Sequence, residues 1–225
     1  MHKNTSTKMK IAAVIVAAGR GSRAGGNIPK QWQKLGRKRV IDHAIAKFTN
    51  HPLIERVIVV LESDYIDCLK TSNIEKVLGG PTRQASVSNG LLYLKRNPPD
   101  LVLIHDVARA TVPTCVIDNV IEALQRHKAA APALAVTDAL WSGLNGRVTA
   151  SQSREGLYRA QTPQGFDFKI ITQAHEKACQ NSVDDVQIAL EANIEVTIVP
   201  GCENNIKITM PDDFERARKI IEETI

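Results

Sequence analysis

The sequence predicts an α/β chain with a mostly parallel, twisted sheet covered by helices on both faces. Short β-branched runs alternate with helical stretches, the pattern a parallel sheet with helical crossovers produces. A glycine-rich loop follows directly on the first of those runs, where an open α/β sheet places its ligand crevice. With 225 residues, 43% of them hydrophobic and 24% charged, the chain has the material for one sizeable core.

Taken in order, the apolar run 11–17 is the first strand candidate, followed by a helix over 39–48 and strands over 56–61 and 75–78. The clearest amphipathic helix spans 82–96, with Val87, Leu91 and Leu94 on one face. A strand over 101–105, a helix over 114–128 and a strand over 131–136 come next. Helices over 168–180 and 183–192 lead to a strand over 194–199. The closing helix, 212–223, begins behind Thr209-Met210-Pro211, where Thr209 can cap and Pro211 suits the first turn.

One stretch breaks the alternation. Residues 137–158 hold Leu140, Trp141, Leu144, Val148 and Leu157 around Asn145-Gly146, the strongest short hairpin signal. A hairpin has too little surface to form its own core. It is therefore expected to pack on a second subunit as a dimerisation arm, the alternative being a surface hairpin lying on its own domain. The domain plan is a polar, disordered leader over 1–9 and a single domain over 10–225, without internal repeats.

Composition excludes several function classes. Of the formal charge of +5, three units belong to Lys3, Lys8 and Lys10 near the N-terminus, which leaves +2 for the body. Neither that charge nor a 4% aromatic content suits a nucleic-acid binder. The run 11–18 is far shorter than the roughly 20 residues a spanning helix needs, so no membrane partner is expected. Preceded by lysines and ending in Ala-Ala-Gly, that run superficially resembles a signal peptide, but the same residues serve better as strand and loop. Cys68, Cys115, Cys179 and Cys202 form no C-x-x-C pair, so neither zinc nor a disulfide framework is indicated and a cytoplasmic location fits.

The loop from Ala17 through Lys30 carries Gly19, Gly21, Gly25 and Gly26 with Arg20, Arg23 and Lys30. Glycines let the backbone approach a phosphate, and the cations supply charge where a triphosphate would lie. A Walker A loop fails because Lys30 lies between Pro29 and Gln31. A dinucleotide fingerprint satisfies its glycine spacing, but Gly25-Gly26 and Pro29 would break the helix it must open, and the acidic residue after the second strand comes too late.

The remaining form, A-A-G-x-G-x-R followed after five residues by P-K, resembles the signature loop of sugar-nucleotide-type nucleotidyltransferases. Four further segments extend the match: Gly79-Gly80-Pro81-Thr82-Arg83-Gln84-Ala85-Ser86-Val87, His105-Asp106-Val107-Ala108-Arg109, Arg154 with Gln161-Thr162-Pro163-Gln164, and Asn205-Ile206-Lys207-Ile208-Thr209. In this order they resemble the 2-C-methyl-D-erythritol 4-phosphate cytidylyltransferase family from about residue 10 to the C-terminus. Pro81, Ala110, Ala139 and Val183 depart from the residues that family commonly has.

The resemblance implies a Rossmann-like nucleotidyltransferase fold and a reaction in which an acceptor 4-phosphate attacks the α-phosphorus of CTP. It assigns Arg23 and Lys30 to the transition state, and Ala17, Ala18, Gly19, Gly21, Gly80, Arg83, Ser86 and Asp106 to the nucleotide. Arg109, Arg154, Thr162 and Lys207 fall to the acceptor, a polyol phosphate, with Arg154 reaching across a dimer interface. Mg²⁺ is expected on the CTP phosphates, with Asp106 as a further candidate ligand. From the residues alone, Asp106 also suits an N-cap or an ion pair with Arg109, His105 suits packing, and Asp184-Asp185 suit the positive end of a helix dipole. Ribitol 5-phosphate is the rival acceptor, and a non-catalytic CTP-binding regulator is the rival from another class.

Overall fold

The computed structural model describes residues 9–19, 28–71, 74–179 and 182–223, so residues 1–8 of the expected leader lie outside the described residues. Its centre is four parallel strands in the order β5 (Glu75–Leu78), β4 (Arg56–Leu61), β1 (Ile11–Val16) and β6 (Leu101–Asp106). Beyond β6 lies the antiparallel strand β11 (Gln164–Asp167), which also pairs with β7 (Ala129–Ala135). β10 (Tyr158–Ala160) continues along the same side of β7, because Ala130 and Ala133 each face β12 (Thr197–Pro200) on the other. The sheet is therefore mostly parallel, as expected.

Two apolar layers sandwich it. Ile11, Ala13 and Ile15 pack on one face with α1 (Val40–Thr49) and α3 (Thr114–Leu124), through Ile41, Phe48, Val116 and Val120. Ala12 and Val14 pack on the other with α2 (Arg83–Leu94), α4 (Phe168–Lys177) and α5 (Asp185–Glu191). The stripe Val87, Leu91, Leu94 of α2 is fully buried, and Thr82 caps the helix by accepting from the Ala85 N–H at 3.0 Å. α2 lies close on the sheet because residue 90 is glycine: a Cβ there would stand 2.8 Å from Val14 Cγ1.

α6 (Asp212–Glu222) closes a smaller cluster of Leu35, Val40, Ala110, Ile208 and Ala217. Its start differs from the expected one: Pro211 takes the cap position without a side-chain cap bond, and Asp213 Oδ2 reaches back to accept from the Thr209 and Met210 amides and the Thr209 hydroxyl at 2.8–3.0 Å. The short ladder β2 (Lys34–Leu35) with β3 (Lys38–Arg39) and the strands β10 and β11 were not foreseen. β11 reads Gln-Gly-Phe-Asp and lacks a β-branched run. Gly165 is required by packing, since a Cβ would lie 2.4 Å from Val120 Cγ1.

The interrupting stretch forms the hairpin β8 (Leu140–Leu144) and β9 (Arg147–Gln152), a separate two-stranded ladder with a bulge at Ser142/Gly143. Asn145 and Gly146 take φ of 49° and 76°, as a primed two-residue turn demands. Trp141, Leu144 and Val148 are 67%, 68% and 61% exposed. No helix among the described residues is long and apolar enough to cross a membrane.

Candidate active site

The carboxyl ends of β1, β4 and β6 meet at one edge. Ala17 N–H donates to Val60 O at 2.8 Å, Gly79 N–H to Leu61 O at 2.7 Å and Val107 N–H to Val16 O at 3.2 Å. The loops leaving these strands are thus fixed side by side. Gln31, 1% exposed, donates through Nε2 to the carbonyls of Ala17 and Gly19 at 2.9 Å, which holds the first part of the glycine-rich loop. Lys30 Nζ donates to Ile208 O at 2.7 Å and so joins that loop to the C-terminal segment. Gly21, Arg20 and Arg23 lie outside the described residues.

Gly79 and Gly80 form the next wall. A Cβ on Gly79 would collide with Ala18 Cβ at 2.4 Å, so glycine permits the two loops to touch. Ser86 is buried, and its hydroxyl accepts from Gly80 N–H at 3.1 Å while donating to Thr82 O at 2.9 Å. It sets the shape of the turn.

Asp106 ends β6 among cations. Arg83 Nε donates to its Oδ1 at 3.0 Å, and Lys207 Nζ lies 2.7 Å from Oδ2. Burial opposes ionisation of this carboxyl, but the charges of Arg83 and Lys207 outweigh it and hold the pKa well below the usual carboxylate range. Arg83 continues to Asp185 Oδ2 at 2.8 Å, and its own pKa is raised because the two aspartates overcome the cost of burial. The expected alternative, an ion pair of Asp106 with Arg109, does not form. Arg109 instead donates to Asn205 O at 2.7 Å and Ala160 O at 3.0 Å, tying the Lys207 segment to β10.

Thr162 and His105 stand behind Asp106. The Thr162 hydroxyl accepts from the Asp106 amide at 3.1 Å and meets His105 Nδ1 at 3.0 Å. That leaves Nε2 as the ring N–H, facing Arg109 O at 3.3 Å. His105 is wholly buried against Phe48, and burial pushes its pKa down to about 3, so the ring is neutral. Thr162, expected at the acceptor, thus has its hydroxyl engaged internally. Arg154 lies on the exposed arm, where it donates to Thr137 O, and the fold does not join it to the Asp106 network.

The crevice therefore gathers Arg83 and Lys207 round Asp106, with Lys30 and Arg109 bonded to neighbouring backbone, and its residues come from all five sequence segments. The sequence model described as IspD, 2-C-methyl-D-erythritol 4-phosphate cytidylyltransferase, matches residues 11–223. The chain belongs to that cytidylyltransferase family. It is 51% identical to the 2-C-methyl-D-erythritol 4-phosphate cytidylyltransferase of Roseobacter denitrificans, over 95% of this chain and 97% of that one. The bifunctional IspD/IspF enzyme of Rhodobacter capsulatus is 47% identical over 96% of this chain, which spans 57% of that longer protein. The solved cytidylyltransferase of Thermus thermophilus superposes with a TM-score of 0.81 at 31% identity, covering 95% of this chain and 100% of that one.

Within this cytidylyltransferase, three site residues escaped the sequence. Gln31 and Asn205 carry no charge, yet both are buried. Asn205 Nδ2 bonds Gln161 Oε1 at 3.2 Å and Thr162 O at 2.9 Å, which fixes the segment bearing Lys207. Asp185 was given to a helix dipole. Only its neighbour Asp184 caps α5, accepting from Gln187 N–H at 3.0 Å, whereas Asp185 turns inward to Arg83. Position within the asparagine-, glutamine- and aspartate-bearing segments was the available signal, and it does not say which way a side chain faces.

Proposed function

We propose that the chain transfers CMP from CTP to 2-C-methyl-D-erythritol 4-phosphate, releasing pyrophosphate. The carrying observation is the convergence of the family's separated segments on one crevice at the carboxyl ends of β1 and β6. An oxygen of the acceptor phosphate attacks the α-phosphorus, the bond to the β-phosphate oxygen breaks, and 4-diphosphocytidyl-2-C-methyl-D-erythritol remains. A phosphate monoester is already anionic at neutral pH, so no protein base is required. The protein's task is to align two polyanions and neutralise charge on the α-phosphate.

Lys30, with Arg23 from the loop, is assigned to that charge. The Ala17-Ala18 and Gly79-Gly80 walls hold the nucleoside, and Lys207 and Arg109 face the acceptor. Mg²⁺ is commonly held by substrate phosphates with one or two protein carboxylates; here both oxygens of Asp106 are already paired, with Arg83 and Lys207, which leaves the ion mainly to the CTP phosphates. When bound there, the ion would neutralise charge on the triphosphate. The exposed Trp141, Leu144 and Val148 support a homodimer formed through the arm, in which Arg154 of each protomer serves its partner's acceptor site. Four free cysteines support a cytoplasmic location.

Pyrophosphate release is the test. Turnover is expected with CTP and 2-C-methyl-D-erythritol 4-phosphate and is expected to vanish in excess EDTA. Turnover with ribitol 5-phosphate in its place would reassign the acceptor, and CTP binding without release would make the chain a regulator.

A further inference from the structure

Asp185 is the most deeply buried acidic group of the crevice, with a side-chain exposure of 0%. A carboxylate so placed is costly unless fully paired. Arg83 Nη2 meets one oxygen at 2.8 Å and His175 Nε2 the other at 3.1 Å, while His175 Nδ1 faces Ser88 Oγ at 3.0 Å. Among the described residues, Asp185 reaches Lys207 only through a chain of ion pairs: Asp185 to Arg83, Arg83 to Asp106, Asp106 to Lys207.

The geometry of Arg83 gives that chain a consequence. Nη2 is committed to Asp185, and the bond to Asp106 runs through Nε, on Oδ1. Oδ2 is the oxygen that Lys207 holds. A guanidinium released from Asp185 would close as a fork on both oxygens of Asp106, the arrangement arginine and carboxylate favour, and would compete with Lys207 for Oδ2.

We propose that Asp185, oriented by His175, is a positioning residue that keeps Arg83 off the second oxygen of Asp106 and so places Lys207 for the acceptor phosphate. The proposal rests on the cytidylyltransferase reading for what Lys207 does, but the coupling itself does not depend on any substrate. Neither Asp185 nor His175 touches a substrate; they act through Arg83.

A double-mutant cycle of Asp185→Asn with Lys207→Ala tests it, read in kcat/KM for the acceptor and, separately, in thermal stability. Asp185→Asn is expected to raise the KM for the acceptor more than the KM for CTP. The double variant is expected to lose less than the product of the single losses, by at least about 2-fold, the lower end for residues sharing a network. A residue that merely supports the fold would lower kcat alone and combine additively. His175→Gln, which keeps an N–H donor for Asp185, is expected to retain the acceptor KM that His175→Leu loses, and it carries the same cycle if Asp185→Asn does not fold. Additivity in both measurements overturns the proposal. Coupled stabilities in a protein that does not turn over CTP would instead overturn the cytidylyltransferase reading and leave the coupling intact.

Discussion

At the scale of single residues, charge and burial decide what each side chain can do. Lys30 reaches from the glycine-rich loop to Ile208 O, which sets its ammonium at the crevice. Lys30→Ala is expected to cut kcat by roughly 10²- to 10³-fold, the usual cost of one transition-state electrostatic contact. The melting temperature should change little by comparison, and near-normal turnover would remove Lys30 from the mechanism. His105 predicts a pH effect on stability. Its imidazole titrates near 6.5 in an unfolded chain but only at about 3 in the fold, because burial disfavours the cation. The unfolded state therefore binds the extra proton between those values. The stabilising contribution is whole above about pH 6.5 and is lost as pH falls toward about 3, by up to roughly 1.4 kcal/mol per pH unit. Asp106 and Asp185, also lowered, lose theirs only below the ordinary carboxylate range near pH 4. Unfolding curves from pH 7.5 to 5 should show the decline, and His105→Gln should flatten it. An unchanged slope would show that another group titrates.

At the scale of elements, close approach matters more than propensity. β11 forms although its sequence is a poor strand former, since its neighbours β6 and β7 supply both ladders and Val120 and Leu124 of α3 lie directly over Gly165. Gly165→Ala puts a methyl group within 2.4 Å of Val120 Cγ1 and 2.7 Å of Leu124 Cδ1. A loss of about 1–3 kcal/mol is expected from such overpacking, measured by denaturant titration, and a neutral outcome would show that α3 can yield. The arm obeys the opposite rule. Its turn is set locally by Asn145 and Gly146, both in the left-handed region, so Gly146→Val should strain the turn without touching the sheet core. Proteolysis confined to the arm, with the core melting point retained, is the expected result.

At the scale of the whole molecule, the proposed homodimer turns on the arm, whose Trp141, Leu144 and Val148 are exposed. Arg154 donates to Thr137 O on the arm, whereas Lys207 pairs with Asp106 in the crevice, so in the proposed dimer the two could serve one site from different chains. Homodimers of Arg154→Ala and of Lys207→Ala should each be nearly inactive, while heterodimers carrying one of each should regain one intact site of two. A fully active monomer, or no recovery in well-formed heterodimers, would overturn the shared site. The alternating periodicity, the glycine loop and Asn145-Gly146 determined the fold class, the crevice edge and the hairpin, because these are local consequences of backbone sterics and of apolar spacing. Boundaries moved by a few residues, as with the last predicted strand 194–199, seen at Thr197–Pro200, where ladder pairing with β7 sets the limits. Other features were decided only by tertiary structure. β11 is a strand because neighbours hold it, Thr162 turns its hydroxyl to Asp106 and His105, and Asp185 faces Arg83 while Asp184 caps a helix. Each of these depends on contacts between residues distant in sequence, and spacing along one segment carries no information on which partner the rest of the chain will bring.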